Sequence, residues 1–385
     1  MPDIGTAAYS DKELVNMYRD TWMSVDLDAI ADNVKVTKEI CGKKYIAVLK
    51  ADAYGCGDSH VARAVIEAGA DMLAVSSLDE AVMLRNEGFH EKILILGPVN
   101  ADDVDVLIRY GISTAAYSME FIKAAAAKGC KGLLVHLAVD TGMNRIGFKT
   151  KKDLKEAFDL LQQAGAVIEG IFTHFYRSDD FDHVVTNQQY AKFKDAVTSL
   201  NYPFEWIHCD NSDATIFFKD DLSNACRVGI TLYGISPYKK DLKKAISLYT
   251  RVSMTKTVKA GEEIGYGGTY TTKKDEIIAT IPIGYADGFI RANQGRHVYI
   301  DGQMCEIVGR VCMDQCMVRL DHDVPAGTLV EIFGPHIDLE DMAADLHTIS
   351  YEIICLISGR VTRKYIWHGQ EYDEDNPRLS LSSAK

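Results

Sequence analysis

The stretch AVLKADAYGCG, residues 47–57, decides how the chain is read. An apolar run ends on Lys50, and a turn of small residues holding Tyr54 follows at once. YIAVLK (45–50) is apolar throughout rather than alternating, which suits a strand covered on both faces in a parallel sheet. DSHVARAVIEAGA (58–70) then spaces apolar residues at i, i+3 and i+4 and predicts a helix. The same grammar repeats downstream. MLAVSS (72–77), KILILG (92–97), ISTAAY (112–117), LLVHLAVD (133–140), VIEGIFTHF (167–175), EWIHCD (205–210) and ACRVGI (225–230) predict further strands. LDEAVMLRNEG (78–88), an Ala-rich run to Lys128, TKKDLKEAFDLLQQAG (150–165) and TNQQYAKFKDAVTSL (186–200) predict helices between them. Eight such strands alternating with helices make an α/β fold of the (β/α)8, TIM-barrel type. A doubly wound open sheet is the competitor, but no GxGxxG opens the first unit.

Near residue 245 the pattern changes. SLYTRVSMTKTVKAG (247–261), YTTKKDEIIATIPIG (270–284), RHVYIDGQMCEIVGRVCMDQCMVRL (296–320) and TLVEIFG (328–334) alternate between Gly-rich turns, and LEDMAADLH (339–347) predicts one helix among them. The expected division is a barrel over residues 23–245 and a mostly-β C-terminal domain over residues 246–385, with residues 1–22 packing on the latter. The polar tail 373–385 reads as loose.

Composition bounds the function. A chain of 385 residues, 47% hydrophobic and 25% charged, is long enough for two cores. Its net charge of −13, with both signs mixed, argues against nucleic acid or an anionic membrane as partner. No run reaches the length of a membrane span, and the first residues lack a signal-peptide pattern, so a cytoplasmic protein is expected. Nine cysteines without a CxxC pair read as small core residues, and no metal site is expected.

In a barrel the C-terminal strand ends face the active site. Lys50 lies at such an end, with Tyr54, Gly55 and Gly57 in a turn that lets backbone approach a ligand. Cys209-Asp210-Asn211-Ser212 closes another strand before a helix and offers N–H groups and a hydroxyl to an anion. Arg227-Val228-Gly229-Ile230 closes the next. A strand-tip amine with a phosphate-sized nest on late strands suggests a phosphorylated carbonyl cofactor held as a Schiff base, for which pyridoxal 5'-phosphate fits best.

The same stretch resembles the cofactor-lysine motif of alanine racemases. So do VDTGMNRIG (139–147), THF (173–175), RVGITLYG (227–234), YGGTY (266–270), IPIGYADG (281–288), VGRVCMDQ (308–315) and ISYEIICLISGRVTRKY (349–365), in family order over nearly the whole chain. The resemblance implies a fold-type III pyridoxal-phosphate racemase. It would be a head-to-tail homodimer with shared active sites, interconverting L- and D-alanine for peptidoglycan. It implies Lys50 as Schiff-base lysine and one base, and Tyr266 from the other subunit as the second. A neutral Lys50 needs a shift of about three units from 10.4, or roughly 4 kcal/mol. His174 would link Tyr266 to Arg227, and Arg227 would face the pyridine nitrogen. Tyr54, Ser212, Gly229, Ile230 and Tyr351 would serve the phosphate. Arg145 and the backbone N–H of Met313 would bind the substrate carboxylate.

Where many members carry a lysine that becomes carbamylated and braces the arginine, this chain has Ala138. A chloride or another side chain is expected to brace Arg145 instead. Asp213 should sit near the phosphate, with Arg177 as a conceivable partner. The alternatives are a racemase of serine or of broader range and, further off, a non-catalytic pyridoxal-phosphate carrier. Carriers of that kind are single barrels without the β domain. A decarboxylase of the same fold type would want a glutamate where Arg227 stands.

Overall fold

The structure, a computed structural model, describes residues 18–380. The chain divides into two compact units, one of residues Ala29–Lys243 and one that takes the chain up to Asp28 together with everything from Lys244. The first strand, β1 (Thr21–Asp26), belongs to the second unit. The eight strands that follow are β2 (Lys44–Val48), β3 (Met72–Val75), β4 (Ile93–Ile95), β5 (Ser113–Ala116), β6 (Leu134–Ala138), β7 (Val167–Phe172), β8 (Trp206–Asp210) and β9 (Ala225–Val228). They form a closed barrel, β2 pairing in parallel with both β3 and β9, which leaves no room for an open sheet.

Strands with both faces covered bury nearly every residue, as β3, β4, β5 and β9 do throughout. Ile46, Val48, Met72, Ala74, Leu94, Trp206 and Ala225 make one buried cluster. Outside, the helix Lys151–Gln163 buries Leu154, Ala157, Phe158 and Leu161, the i, i+3, i+4, i+7 stripe of an amphipathic helix. Its start is fixed by the Thr150 hydroxyl, which accepts the Asp153 N–H. Ser77 and Glu80 form a full capping box at the helix Leu78–Asn86. Such caps fix where each helix leaves its strand, and so where the strand-end residues point.

The second unit is built on ten strands. Besides β1 they are β10 (Ile246–Arg251), β11 (Met254–Val258), β14 (Glu276–Ile281), β15 (His297–Ile300), β16 (Gln303–Val308), β17 (Cys316–Leu320), β18 (Leu329–Phe333), β19 (Thr362–Trp367) and β20 (Gln370–Asp375). Their order is β11-β14-β17-β16-β15-β18-β10-β1-β19-β20. A two-stranded ribbon, β12 (Glu263–Ile264) with β13 (Tyr270–Thr271), stands apart from the sheet. The alternating burial of β10 and β17 is that of strands covered on one face.

Two expectations meet a difference. Residues 23–26 were read with the barrel, whereas β1 pairs with β10 and β19 in the β sheet. The strand's own alternation, buried then half-buried, marks it as a sheet strand with one open face. The tail expected to be loose contributes residues 373–375 to β20, which pairs with β19. Residues 1–17 and 381–385 lie outside the described residues, and with them most of the expected packing of 1–22.

Candidate active site

Lys50 follows β2 by two residues and is exposed at the barrel's C-terminal end. The chain beyond it is strained. Ala51, Asp52, Ala53 and Tyr54 all have left-handed backbone, with φ of 57, 54, 49 and 60°. Left-handed turns cost L-residues roughly 1–2 kcal/mol each, so this turn stores several kcal/mol. Local partners hold it. Ala51 N–H donates to Glu80 Oε1 at 2.8 Å, and Ala53 N–H to the Leu49 carbonyl at 2.8 Å. The buried Tyr233 hydroxyl donates to the Ala53 carbonyl at 2.5 Å, and its ring meets Tyr54 edge-on with centroids 5.6 Å apart. The turn thus joins an exposed Lys50 to a buried Tyr54 four residues on.

Tyr54, Ser212 and Gly229 converge. Ser212 opens the short helix Ser212–Phe217, whose cap is Asn211, and its hydroxyl accepts the Gly229 N–H at 2.9 Å. A Cβ on Gly229 would stand 2.1 Å from the Tyr54 hydroxyl. Only glycine therefore lets two hydroxyls and a backbone N–H share one small space. Ile230, buried, begins the single helical turn Ile230–Tyr233. Such a convergence of hydroxyls and backbone N–H has the chemistry of an anion cradle.

Arg227 is buried on β9 and donates in five directions. Its acceptors are His208 Nδ1 at 2.9 Å, His174 Nδ1 at 3.3 Å, and the carbonyls of His208, Thr173 and Cys209 at 2.9, 2.8 and 3.4 Å. Phe172 lies beneath the guanidinium at 5.6 Å and stacks on His208. Burial brings Arg227 down to about 10, so it stays charged near neutrality. A guanidinium only donates, so His208 must accept at Nδ1 and carry its proton on Nε2. That proton goes to His136 Nδ1 at 2.8 Å, which leaves the His136 proton on Nε2, facing Glu169 at 3.8 Å. Glu169 is held by Ser113 at 2.6 Å and Lys92 at 2.7 Å. Burial, then the charge of Lys92, takes His136 down to about 3. His208 falls well below the usual range through burial and then Arg227. His174 is lowered to about 3 by burial and then by Arg227, Arg145 and Lys50, whose charges all reach it. The imidazoles are neutral, and the field they sit in is positive.

Arg145 is exposed on the loop after β6. Asp140 shapes that loop by accepting the N–H groups of Gly142 and Asn144, both at 3.0 Å, with Asn144 at φ 57°. No acidic side chain among the described residues pairs with Arg145, so the expectation of a side-chain brace is not met. Ala138 is buried in apolar contact with Ala115 and Phe172. Arg177 pairs with Asp180 rather than with Asp213, because the turn after Phe175 places those two together. Asp213 keeps one buried carboxylate oxygen without a partner.

Tyr266 and Met313 lie in the β unit, 71% and 52% exposed. They line one open groove of about 1080 Å³ with Glu263, Ile264, Thr280 and Met317. Tyr351 is half-buried in the helix Ser350–Leu356. The structure thus gathers Lys50, Tyr54, His174, Ser212, Arg227, Gly229 and Ile230 at one barrel mouth, and Tyr266 with Met313 on one surface of the β unit. Sequence reading passed over His136, His208, Asp140 and Tyr233. The available signal for the first two was a polar letter in the middle of a buried strand.

A strand-tip amine, an oxyanion cradle and a buried guanidinium define a barrel enzyme that holds a phosphorylated carbonyl compound at its mouth. The alanine racemase N-terminal domain family matches residues 25–237 and the C-terminal domain family residues 245–365. Alanine racemase 1 of Bacillus subtilis is 38% identical over 380 residues, covering 95% of this chain and 98% of its own. Alanine racemase of Streptococcus pyogenes serotype M5 is 41% identical over 364 residues, covering 91% and 99%. The solved structure of alanine racemase from Bacillus anthracis with bound L-Ala-P superposes with a TM-score of 0.91 at 38% identity, covering 95% of this chain and all of that one. The chain belongs to the alanine racemase family, whose members are isomerases dependent on pyridoxal 5'-phosphate. The cradle of Tyr54, Ser212 and Gly229 fits that group's phosphate, and Lys50 its aldehyde.

Proposed function

We propose that this isomerase interconverts L- and D-alanine in the cytoplasm as a homodimer, with Lys50 and Tyr266 of the partner subunit as its two bases, and that its D-alanine serves peptidoglycan. Pyridoxal 5'-phosphate, when bound, supplies an aldehyde for covalent capture of amines and a ring that delocalises the electrons a departing α-proton leaves behind. Racemisation needs a base on each face of the α-carbon. Lys50 would hold the cofactor and take or return the proton on one face. Tyr266 of the partner subunit would do so on the other. The exposed groove that carries Tyr266 beside Met313 supports a role on another subunit's barrel, as their exposure would otherwise be wasteful. Met313 of the partner subunit would give its N–H to the substrate carboxylate alongside the planar fork of Arg145. Tyr54, Ser212, Gly229 and Ile230 would hold the phosphate, and Tyr351 would touch it and narrow the entrance.

The observation that carries this reading is the setting of Arg227. Its acceptors are carbonyls and neutral imidazoles, with no carboxylate of the described residues in contact. Arginine has no proton to hand over. Against a ring nitrogen it would keep the electron sink weak, which favours returning the α-proton over other outcomes. His174, neutral beside it, would align the phenol of Tyr266 of the partner subunit.

The test is to incubate the purified holoprotein with each L-amino acid and resolve the products on a chiral column. Fastest formation of D-alanine supports the assignment. Faster conversion of serine or of several amino acids replaces it with the broader racemase. Retained cofactor with no product from any amino acid would make the protein a carrier.

A further inference from the structure

Seven of the nine cysteines are read adequately as packing or as isolated thiols; the pairing of Cys41 with Cys226 is different. Cys41 is the last residue of the helix Leu27–Cys41, and Cys226 lies on β9. Their sulfurs stand 3.3 Å apart. Cys226 is fully buried, while Cys41 is half-buried and so reachable from solvent. Around them, Cys41 Sγ points to the Lys38 carbonyl at 3.5 Å and Cys226 Sγ to that of Lys44 at 3.6 Å. Two residues on from Cys41, Lys43 is held by Asp210 at 2.6 Å and by Asp220 and Ser223. The hydrogen bond from Cys226 and the Lys43 ammonium together lower the Cys41 thiol, to about 7, whereas burial raises Cys226 well above its usual range. One sulfur is thus an accessible nucleophile, and the other is a protonated thiol waiting beside it.

We propose that Cys41 and Cys226 form a redox-modification site, a thiol pair that a hydroperoxide closes to a disulfide. In the first step the Cys41 thiolate attacks the terminal oxygen of the hydroperoxide. The O–O bond breaks, Cys41 becomes a sulfenic acid, and the departing alkoxide or hydroxide takes a proton from water. In the second step Cys226 sulfur attacks Cys41 sulfur. The S–O bond breaks, and the hydroxyl leaves with the Cys226 proton as water. The pair is oxidised by two electrons and the hydroperoxide is reduced by two.

Geometry permits the closure. A disulfide needs the sulfurs at about 2.05 Å, an approach of about 1.3 Å. Cys41 ends its helix, and the next residue, Gly42, sits at φ 62° with open space around it, so the helix end can give. Cys226 precedes Arg227 on the strand, and successive side chains of a strand point to opposite faces. The bond would therefore form on the outside of the barrel and tie the helix end to the strand that carries Arg227.

The test treats the holoprotein with hydrogen peroxide or tert-butyl hydroperoxide, blocks remaining thiols, and digests with trypsin without reduction. The expected product is a crosslink between peptides 39–43 and 220–227, lighter by two hydrogens than their sum and split by dithiothreitol. Cys41→Ser removes it and leaves Cys226 reduced. Cys226→Ser leaves Cys41 as a sulfenic acid that dimedone traps. Cys41 is half-exposed, so its serine variant folds even where the buried one does not. Oxidation of the exposed Cys355 while peptides 39–43 and 220–227 stay reduced would overturn the proposal.

Discussion

Asp213→Asn should stabilise the protein at neutral pH and do much less in acid. Asp213 follows Ser212 in the short helix beside the anion cradle, and one of its carboxylate oxygens is buried without a partner. Burial first, and the charge of Asp179 second, push its carboxyl up to about 6. A raised native pKa means the folded state holds a proton that the unfolded chain gives up. Stability is then complete below about 3.8 and is lost as pH rises toward 6, after which the deficit is constant. With native and unfolded values of about 6 and 3.8, the deficit is about 1 kcal/mol at pH 4.5 and about 3 kcal/mol at pH 7.5. Asparagine keeps the shape and removes the charge, so it recovers those amounts. Urea unfolding of both proteins at the two pH values measures the difference directly. A gain equal at both pH values, or a loss at pH 7.5, would refute the reasoning, because it would mean that Asp213 is not held against its own ionisation.

Gly229→Ala places a methyl 2.1 Å from the Tyr54 hydroxyl, so the phenol must retreat by more than 1 Å. Overpacking of about 1–3 kcal/mol corresponds to a roughly five- to hundredfold weaker hold on pyridoxal 5'-phosphate, read by equilibrium dialysis. An unchanged affinity would remove Gly229 from the cradle. Tyr233→Phe deletes the 2.5 Å bond to Ala53 and should cost about 1–2 kcal/mol in urea unfolding, with a faster exchange of the amide protons of residues 51–54. Lys50→Ala should lose the cofactor's absorption near the visible edge, and borohydride should fix no pyridoxyl label on the peptide that carries residue 50. Mixing inactive Lys50→Ala and Tyr266→Ala proteins should restore activity, since under the proposed shared-site homodimer a mixed dimer would have one intact site; no recovery after subunit exchange would argue against shared sites.

The barrel strands were legible because strands buried on both faces read as near-continuous apolar runs, with His136, Glu169, His208 and Arg227 among the exceptions. β1 was not, because TWMSVD is short and its partners, β10 and β19, lie more than two hundred residues away. β20 was misread because QEYDED is charged, as edge strands often are to discourage further pairing. At the site, Lys50, Ser212, Arg227 and Gly229 were visible as unusual letters at strand ends. The left-handed turn at Ala51–Tyr54 was not. Nothing in ADAY favours that conformation; it is imposed by Glu80 and Tyr233, which are distant in sequence. His136 and His208 looked like ordinary strand residues because their meaning comes from neighbours on other strands.

Those neighbours explain how a buried cation is kept without a counter-charge at the mouth. Asp210, at the end of the strand that carries His208, is paired with Lys43 at 2.6 Å and reaches Arg227 only through its field, not by contact. Glu169 is neutralised by Lys92 and accepts a hydrogen bond from Ser113. Between them, Arg227 is solvated by carbonyl dipoles and by a line of imidazoles whose protons must all point the same way, from the guanidinium toward Glu169. A single carboxylate at His208 would reverse that order: it would pair with Arg227 directly and weaken the positive field that reaches His174. Under the proposed function, the substrate's carboxylate would then lose part of its attraction to Arg145. The histidines therefore secure two properties together, a guanidinium fixed with no carboxylate of the described residues in contact and a positive field that reaches His174, which no acid in their place could supply.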